Sequence, residues 1–351
     1  MSSFFIFFTA FTVLILVGQL SLKVKTTKEN GILSQLTVVI PFRNEARNLS
    51  LLLRSIALQD QLPVKIIFVN DHSDDASVAI LEDFNGFEFE VMDLVDGFGK
   101  KAALKKGIQA ANTDYILTLD ADTQLPENYF KTLSETQLGE AHILPVRICN
   151  TPFSGFFNLD YYYLFMLNNG LHFFKRPFVA SGANFLFKKA IYEAFIAQDL
   201  NQSVSSGDDH YFLHYLVKNK KDIRLSTDDA LCVETTIPSS FGAILQQRIR
   251  WIKKSSSYLS LTALMIAFIG VIYHWGIIAL TLLYSSKAVE LLLTKIAFDC
   301  IVFYPYLIRI GERFSLVRIA IFSLLYPFWM FFIGVASVFV RPQWKGRKVQ
   351  F

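Results

Sequence analysis

The sequence predicts an α/β domain, built on a mixed, mostly parallel, doubly wound sheet and flanked on both sides by transmembrane helices. Three observations predict it. Between residues 23 and 254, short β-branched runs alternate with helical patterns. Residues 1–22 carry no charged side chain. Residues 255–351 are apolar again, with 9 Lys+Arg against 3 Asp+Glu. The 351 residues are 52% hydrophobic and 18% charged, the reverse of a disordered composition. Cys149, Cys232 and Cys300 are odd in number and far apart, so they form no disulfide framework, and no CxxC pair suggests zinc. The net charge of +4 gives no case for nucleic acid as a partner.

The first element is the N-terminal apolar run, which includes Phe4, Phe5, Phe7, Phe8, Phe11 and Val13–Val17. About 20 such residues cross a hydrocarbon core of roughly 30 Å. A signal peptide places its positive charges before the apolar run. Here Lys23, Lys25 and Lys28 follow it, so residues 1–22 read as an uncleaved anchor with a cytoplasmic C-terminal end.

The next segment, 23–254, carries 25 Lys+Arg against 27 Asp+Glu. Its strands are Leu36–Ile40, ended by Pro41, then Val64–Val69, ended by Asn70-Asp71, then Tyr115–Leu119, ended by Asp120. Helical patterns lie between them at Leu49–Leu58 and Ala102–Ala111. Ligands of such sheets bind at the carboxyl ends of the strands, so the residues after each strand are the candidates. They are Pro41-Phe42-Arg43-Asn44-Glu45, Asn70–Asp75 and Asp120-Ala121-Asp122. Acids gathered at one edge repel unless a cation or a donor-rich ligand offsets them. Asp120 and Asp122 can both face one divalent ion, and Mg²⁺ takes few carboxylates together with waters and phosphates. Asp-rich turns also cap helices; the weight of this pair comes from its place after a buried strand, third in a series.

Gly97-Phe98-Gly99-Lys100 opens a helix, where free N–H groups and a Lys suit an anion; alone, it also fits a solvated helix start. Ser206-Gly207-Asp208-Asp209-His210 opens another, Tyr211–Val217. Asp208 is assigned the cap, Asp209 the chemistry, and His210 an orienting or structural place. Gln247-Arg248-Ile249-Arg250-Trp251 precedes the C-terminal apolar region. It suits a phosphate and a sugar face, or an interfacial anchor.

That last region offers spans at about 257–283, 287–308 and 316–340. The first is long, and His274-Trp275-Gly276 suits a hairpin tip. Splitting it gives four crossings. The even count sets Lys253-Lys254 and the basic tail, Arg341 to Lys348, on one cytoplasmic face, and leaves Arg309 and Arg313 outside. Lys287, Glu290, Lys295 and Asp299 form a helical stripe that reads as interfacial or bundle-facing. Residues 153–187 hold nine Phe and Tyr161-Tyr162-Tyr163. They read as an aromatic core helix, or as a surface that meets the bilayer and guides an acceptor.

Val38–Glu45, Val69–Asp75, Gly99–Gly107, Leu119–Thr123, Ser181–Phe187, Gly207–Asp209 and Gln247–Trp251 stand in the order and approximate spacing of family 2 glycosyltransferases. Over about residues 34–254 the chain resembles the membrane-bound branch, with the cellulose, chitin and hyaluronan synthases and ceramide glucosyltransferase. The resemblance implies a GT-A fold and inverting transfer from a nucleotide-sugar, most often a UDP-sugar, with Mg²⁺ or Mn²⁺. It implies that Pro41, Glu45, Asp71, Lys100, Asp120, Ser181, Gly182 and Arg250 contact the donor. Asp120 and Asp122 would hold the metal, and Asp209 would be the general base. Asp208, Gln247, Arg250 and Trp251 would meet the acceptor or the diphosphate. Asn70 and Asp208 depart from the commoner Asp and Glu of the family, which affects fine positioning only.

The organisation expected is an anchor at 1–22, a cytoplasmic catalytic domain at 23–254, three or four spans within 255–340 and a basic cytoplasmic tail at 341–351. The protein is expected in the cell (inner or plasma) membrane, among membrane lipids, with a lipid or lipid-linked glycan as acceptor. A processive polysaccharide synthase is the alternative. A non-catalytic assembly subunit is more distant, since Asp120, Asp122 and Asp209 are all present.

Overall fold

The structure is a computed structural model. It describes residues 2–22, 26–27, 30–149, 154–198, 208–238, 240–256, 261–341, 343–344 and 347–348. Lys23, Lys25, Lys28, Gly207 and Lys345 lie outside the described residues. In chain order the elements are α1 (Ser2–Ser21), β1 (Leu36–Phe42), α2 (Ala46–Ala57), β2 (Lys65–Asn70), α3 (Ser77–Glu82), β3 (Glu90–Asp93) and α4 (Lys100–Ala110). There follow β4 (Tyr115–Leu119), α5 (Tyr129–Ser134), β5 (Ala141–Ile143), β6 (Val146–Ile148), α6 (Ser154–Gly170), β7 (Asn184–Lys188), α7 (Lys189–Ile196) and α8 (Asp208–Lys218). The last are β8 (Ile223–Leu225), β9 (Val233–Thr235), α9 (Phe241–Ser256), α10 (Leu261–Leu283), α11 (Ala288–Arg309) and α12 (Leu316–Phe339).

The chain divides into two compact units. One, formed by residues 23–149 and 180–236, holds a seven-stranded sheet in the order β3-β2-β1-β4-β7-β5-β8. β1 to β4 are mutually parallel, β7 is antiparallel to β4 and β5, and β8 is parallel to β5. β6 and β9 form a separate parallel pair. β1 is buried at every position, because a strand covered by helices on both faces reads as one apolar run. Gly107 lets α4 lie close on the sheet: a Cβ there would fall 2.5 Å from Val39 Cγ1 and 2.9 Å from Val69 Cγ2.

Pro41 does not end the first strand. β1 runs on to Phe42, with Pro41 opposite Val69 and Phe42 opposite Asn70. The ladder to β4 stops at Val39, so the missing N–H of Pro41 falls where that neighbour asks for none.

The other unit gathers residues 1–22, 150–179 and 237–348. Among the described residues, four of its helical segments are long and apolar enough to cross a membrane: Phe4–Ser21, Leu264–Leu283, Ser285–Arg309 and Leu316–Phe339. α10 runs unbroken through His274-Trp275-Gly276, so the hairpin expected there does not form. Nothing in that tripeptide breaks a helix as Pro does. Among the described residues the C-terminal spans number three, an odd number, and the argument that set Lys253 and the basic tail on one face loses its even count. Arg309, at the end of α11, donates to the carbonyls of Gln19, Leu20 and Leu22 at the end of α1. α6 and α9 belong with these helices, although α6 and all but the last two residues of α9 fall within the 23–254 segment of the sequence reading. Phe157 packs on Trp329 (ring centroids 5.1 Å apart) and Tyr163 on Tyr326 (5.2 Å). Phe157, Tyr162, Tyr163 and Phe165 are buried, so α6 is an aromatic core helix; Phe173 and Phe174, just beyond it, are exposed.

Candidate active site

The loops after β1 and β2 are tied to each other by side chains that the sequence presents in pairs. Asn44 donates to Asp74 (2.6 Å) and accepts from the Asp74 N–H (3.0 Å). Asp75 accepts from the N–H groups of Ala46 (3.1 Å) and Ser77 (3.0 Å). Burial raises the Asp75 pKa, but these bonds outweigh it and hold the carboxyl below its ordinary value. Two of the acids at this edge are therefore satisfied by loop closure and need no cation. Asn70 donates to Asp93 (2.8 Å) and accepts from the Ser73 N–H (2.9 Å).

Asp71 is fully buried at the end of β2, with an oxygen 3.2 Å from His72 Nδ1. Glu45 precedes α2 and accepts from Asn48 (2.6 Å). Gly97 and Gly99 both have positive φ (83° and 95°), a conformation that glycine adopts without strain. They deliver Lys100 to the first position of α4.

Lys100 is the hub of the site. Its ammonium bonds directly to Asp120. Burial lowers its pKa, but Asp120, Asp209 and Asp122 outweigh burial and hold it above its ordinary value. A Cβ on Gly182 would lie 3.4 Å from Lys100 Nζ and 3.7 Å from Asp209 Oδ2. Glycine thus keeps clear the space between the lysine and the acid. Asp209 accepts from the Gly182 N–H (3.1 Å) and the His210 N–H (2.8 Å). The structure therefore brings together Lys100, Asp120, Asp122, Gly182 and Asp209, from four separate stretches of chain. Ser181 adjoins them; its hydroxyl accepts from the Ala183 N–H (3.4 Å). Asp208 is the first residue of α8.

Asn184 is a residue that sequence reasoning passed over. Fully buried, it donates to the carbonyls of Pro145 (2.8 Å) and Leu231 (2.9 Å) and accepts from the Tyr129 hydroxyl (2.6 Å). Its N–H bonds to the Ser181 carbonyl (3.1 Å), closing the turn that carries Gly182. A polar residue opening an apolar strand is the signal that could have found it.

A divalent ion would find two carboxylates, Asp120 and Asp122, with the Lys100 ammonium on one oxygen of Asp120. Among the described residues no three His, Cys, Asp or Glu side chains gather on one point. That donor set fits Mg²⁺ or Mn²⁺ completed by phosphate oxygens and water, and does not fit an all-protein cage.

Gln247, Arg250 and Trp251 lie on α9, in the helical unit. There Arg248, between the expected residues, organises the helix. It is buried and donates to Asp160 (2.5 Å), the Phe157 carbonyl (3.0 Å) and Gln247 Oε1 (2.8 Å). Its guanidinium lies 4.2 Å from the Trp251 ring centre, and Trp251 also meets Tyr161 at 5.8 Å. With its oxygen occupied, the Gln247 amide has its N–H groups left to offer.

Residues 37–195 match the model of glycosyl transferase family 2. Pro41, Glu45, Asp71, Lys100, Asp120, Asp122, Ser181 and Gly182 fall inside the match; Asp209 and the α9 residues lie beyond it. The chain is similar to the 4,4'-diaponeurosporenoate glycosyltransferases of two Staphylococcus aureus strains, bovine RF122 / ET3-1 and USA300. Each is 37% identical over 131 residues, which is 36% of this chain. The chain spans about a third, 34%, of the length of those relatives. A similar solved structure is the mannosyltransferase PcManGT from Pyrobaculum calidifontis, in complex with GDP-Man and Mn²⁺. It has a TM-score of 0.51 and 16% identity, over 96% of this chain and 97% of that one. The sheet order and this likeness make the fold GT-A.

Proposed function

We propose, from the match of residues 37–195 to the glycosyl transferase family 2 model, that this protein moves a sugar from a nucleotide-sugar, a UDP-sugar, to a lipid-like acceptor with inversion. The observation that carries the reading is the meeting of Lys100, Asp120, Asp122, Gly182 and Asp209 beyond the carboxyl ends of the parallel strands. Asp71 and Glu45 hold the nucleoside end of the donor. Asp120 and Asp122 would hold a divalent ion, whose charge would offset that of the diphosphate.

The residues then divide the work. Lys100 donates to the diphosphate oxygens, exchanging a carboxylate partner for a phosphate one. Asp209 removes the proton of the acceptor hydroxyl, which attacks the anomeric carbon from the face opposite the diphosphate. The diphosphate departs as an anion, so no acid needs to protonate it. One carboxylate suffices, unlike the pair of a retaining glycosidase. Gln247, Arg250 and Trp251 serve the acceptor and the diphosphate.

The acceptor class rests on two supports. The similar relatives are named for transfer to a carotenoid acid. Four helical segments of this chain are long and apolar enough for a bilayer, and α10–α12 expose large apolar side chains such as Leu282, Val289, Phe331 and Phe339. On this reading the chain is a multi-pass protein of the cell membrane, with its sheet unit on the cytoplasmic face. The test is the full chain in nanodiscs, given a panel of nucleotide-sugars with Mg²⁺ or Mn²⁺. Release of nucleotide diphosphate from one donor, lost on chelation, is expected. Absence of binding and hydrolysis across the panel overturns the reading.

A further inference from the structure

Within the sheet unit, the segment between β3 and α4 is held at both ends. The Leu94 N–H donates to the Asn70 carbonyl at the end of β2 (2.9 Å). At the other end Lys100 bonds to Asp120, just beyond β4. In the sheet β1 lies between β2 and β4, so the two attachments bracket the carboxyl end of β1. The middle of the segment is Val95-Asp96-Gly97-Phe98-Gly99. Gly97 and Gly99 both have positive φ. At Gly97 the dihedral, and not crowding, asks for glycine: an added Cβ would meet only Ala102 Cβ, at 3.6 Å. Phe98, between the two glycines, is 63% exposed.

A lone exposed Phe needs no explanation of its own. The surroundings of this one supply it. The Phe98 ring lies 4.7 Å from the ring of His72, tilted by 35°. His72 has positive φ (56°), which few residues other than glycine adopt, and its Nδ1 is 3.2 Å from Asp71 Oδ1. Phe98 therefore stands one imidazole ring away from Asp71 and two residues before Lys100. A lipid tail or an apolar protein face laid on it would also strip water from His72 and from exposed Asp96. A nucleobase makes no such demand. It offers an aromatic face to a ring, and its polar edges keep hydrogen bonds of their own.

We propose that Phe98, backed by His72, is the surface on which the nucleobase of the donor stacks. The inference rests on the transferase reading above, in which Asp71 holds the nucleoside end of the donor and Lys100 the diphosphate. The two glycines present the ring at the edge of the sheet between those residues. Every base has a face to stack, so Phe98 supplies affinity and leaves the choice of base to hydrogen bonds at the base's edge.

The test is calorimetry on the full chain in nanodiscs with Mg²⁺. The probes are whichever of UDP, GDP, CDP and dTDP the wild type binds most tightly, and pyrophosphate, which has no base. Phe98→Ala is expected to weaken the nucleotide about tenfold or more and to leave pyrophosphate unchanged. Phe98→Trp keeps an aromatic face and is expected to hold the nucleotide as wild type does. Val95→Ala, at the other exposed apolar residue of the segment, is expected to match wild type with both probes. Equal nucleotide binding by wild type and Phe98→Ala overturns the stacking role and leaves the transferase reading intact. So does an equal loss of nucleotide and pyrophosphate in Phe98→Ala, which would mean that the residue only shapes the approach to Lys100. Binding of none of the four nucleotides by wild type overturns the stacking role and the transferase reading together.

Discussion

Two side chains carry the sharpest consequences at the residue scale. Asp209 receives a backbone N–H on each oxygen, which holds its carboxylate beside Gly182. As the base for a hydroxyl acceptor, its replacement in Asp209→Asn is expected to lower transfer about 10²- to 10⁴-fold. Binding of the nucleotide-sugar, measured by calorimetry, is expected to stay the same. A carboxylate acceptor is already an anion at neutral pH, so transfer to it is expected to fall far less. Full transfer to a hydroxyl acceptor would remove Asp209 from the chemistry. Arg248 makes the second case. Its partner Asp160 lies 88 positions away, on a different helix. Asp160→Ala strands a buried guanidinium, and about 3–5 kcal/mol of stability is expected to go with it. Thermal unfolding in detergent measures this, and a double variant, Asp160→Leu with Arg248→Met, is expected to recover most of the loss. Neither residue announces itself in the sequence. Arg248 stands one place from Gln247 and two from Arg250, and only the packing shows which side chains turn inward.

Among the elements, the strands whose carboxyl ends carry the site are the most legible. β4 occupies the span its β-branched and aromatic run suggests, and Lys100 opens α4 as the Gly-flanked pattern suggests. Such patterns are local, so they survive folding. β5 is different, being three residues long with a histidine at its centre. His142 is buried, and neither ring nitrogen has a partner. Burial, with Arg224 adding to it, lowers its pKa to about 4 from 6.5. The unfolded chain therefore binds the extra proton first as pH falls. Stability from the neutral ring is fully present above pH 6.5 and is lost between 6.5 and about 4. By linkage the loss amounts to about 3 kcal/mol. Denaturant melts at pH 7 and pH 4.5 are expected to show it, and His142→Leu is expected to flatten that pH dependence. A slope unchanged in the variant would assign the effect elsewhere.

For the whole molecule, the membrane arrangement turns on Arg309. It bonds the carbonyls that end α1, so α1 and α11 finish on one side of the helical unit. With α10 unbroken, the turn at Ser285–Lys287 lies at the opposite end of α11. In a background without the three native cysteines, Ser286→Cys is expected to react with an impermeant maleimide added outside intact cells. Arg313→Cys is expected to react only after permeabilisation. The reverse pattern would invert the proposed orientation.

Composition and pattern alone determined that apolar segments flank a strand–helix domain, and that acids and a lysine follow its parallel strands. These properties belong to short windows of chain, where burial of one face dictates residue type. Tertiary structure decided what depends on residues far apart meeting. It set the Gly182 N–H on Asp209, closed that turn with buried Asn184, turned Arg248 rather than its neighbours toward Asp160, and brought Gly18 against Gly170. The physical reason is that hydrogen-bond partners and close approaches are chosen by packing in space, and spacing along the chain carries no record of that choice.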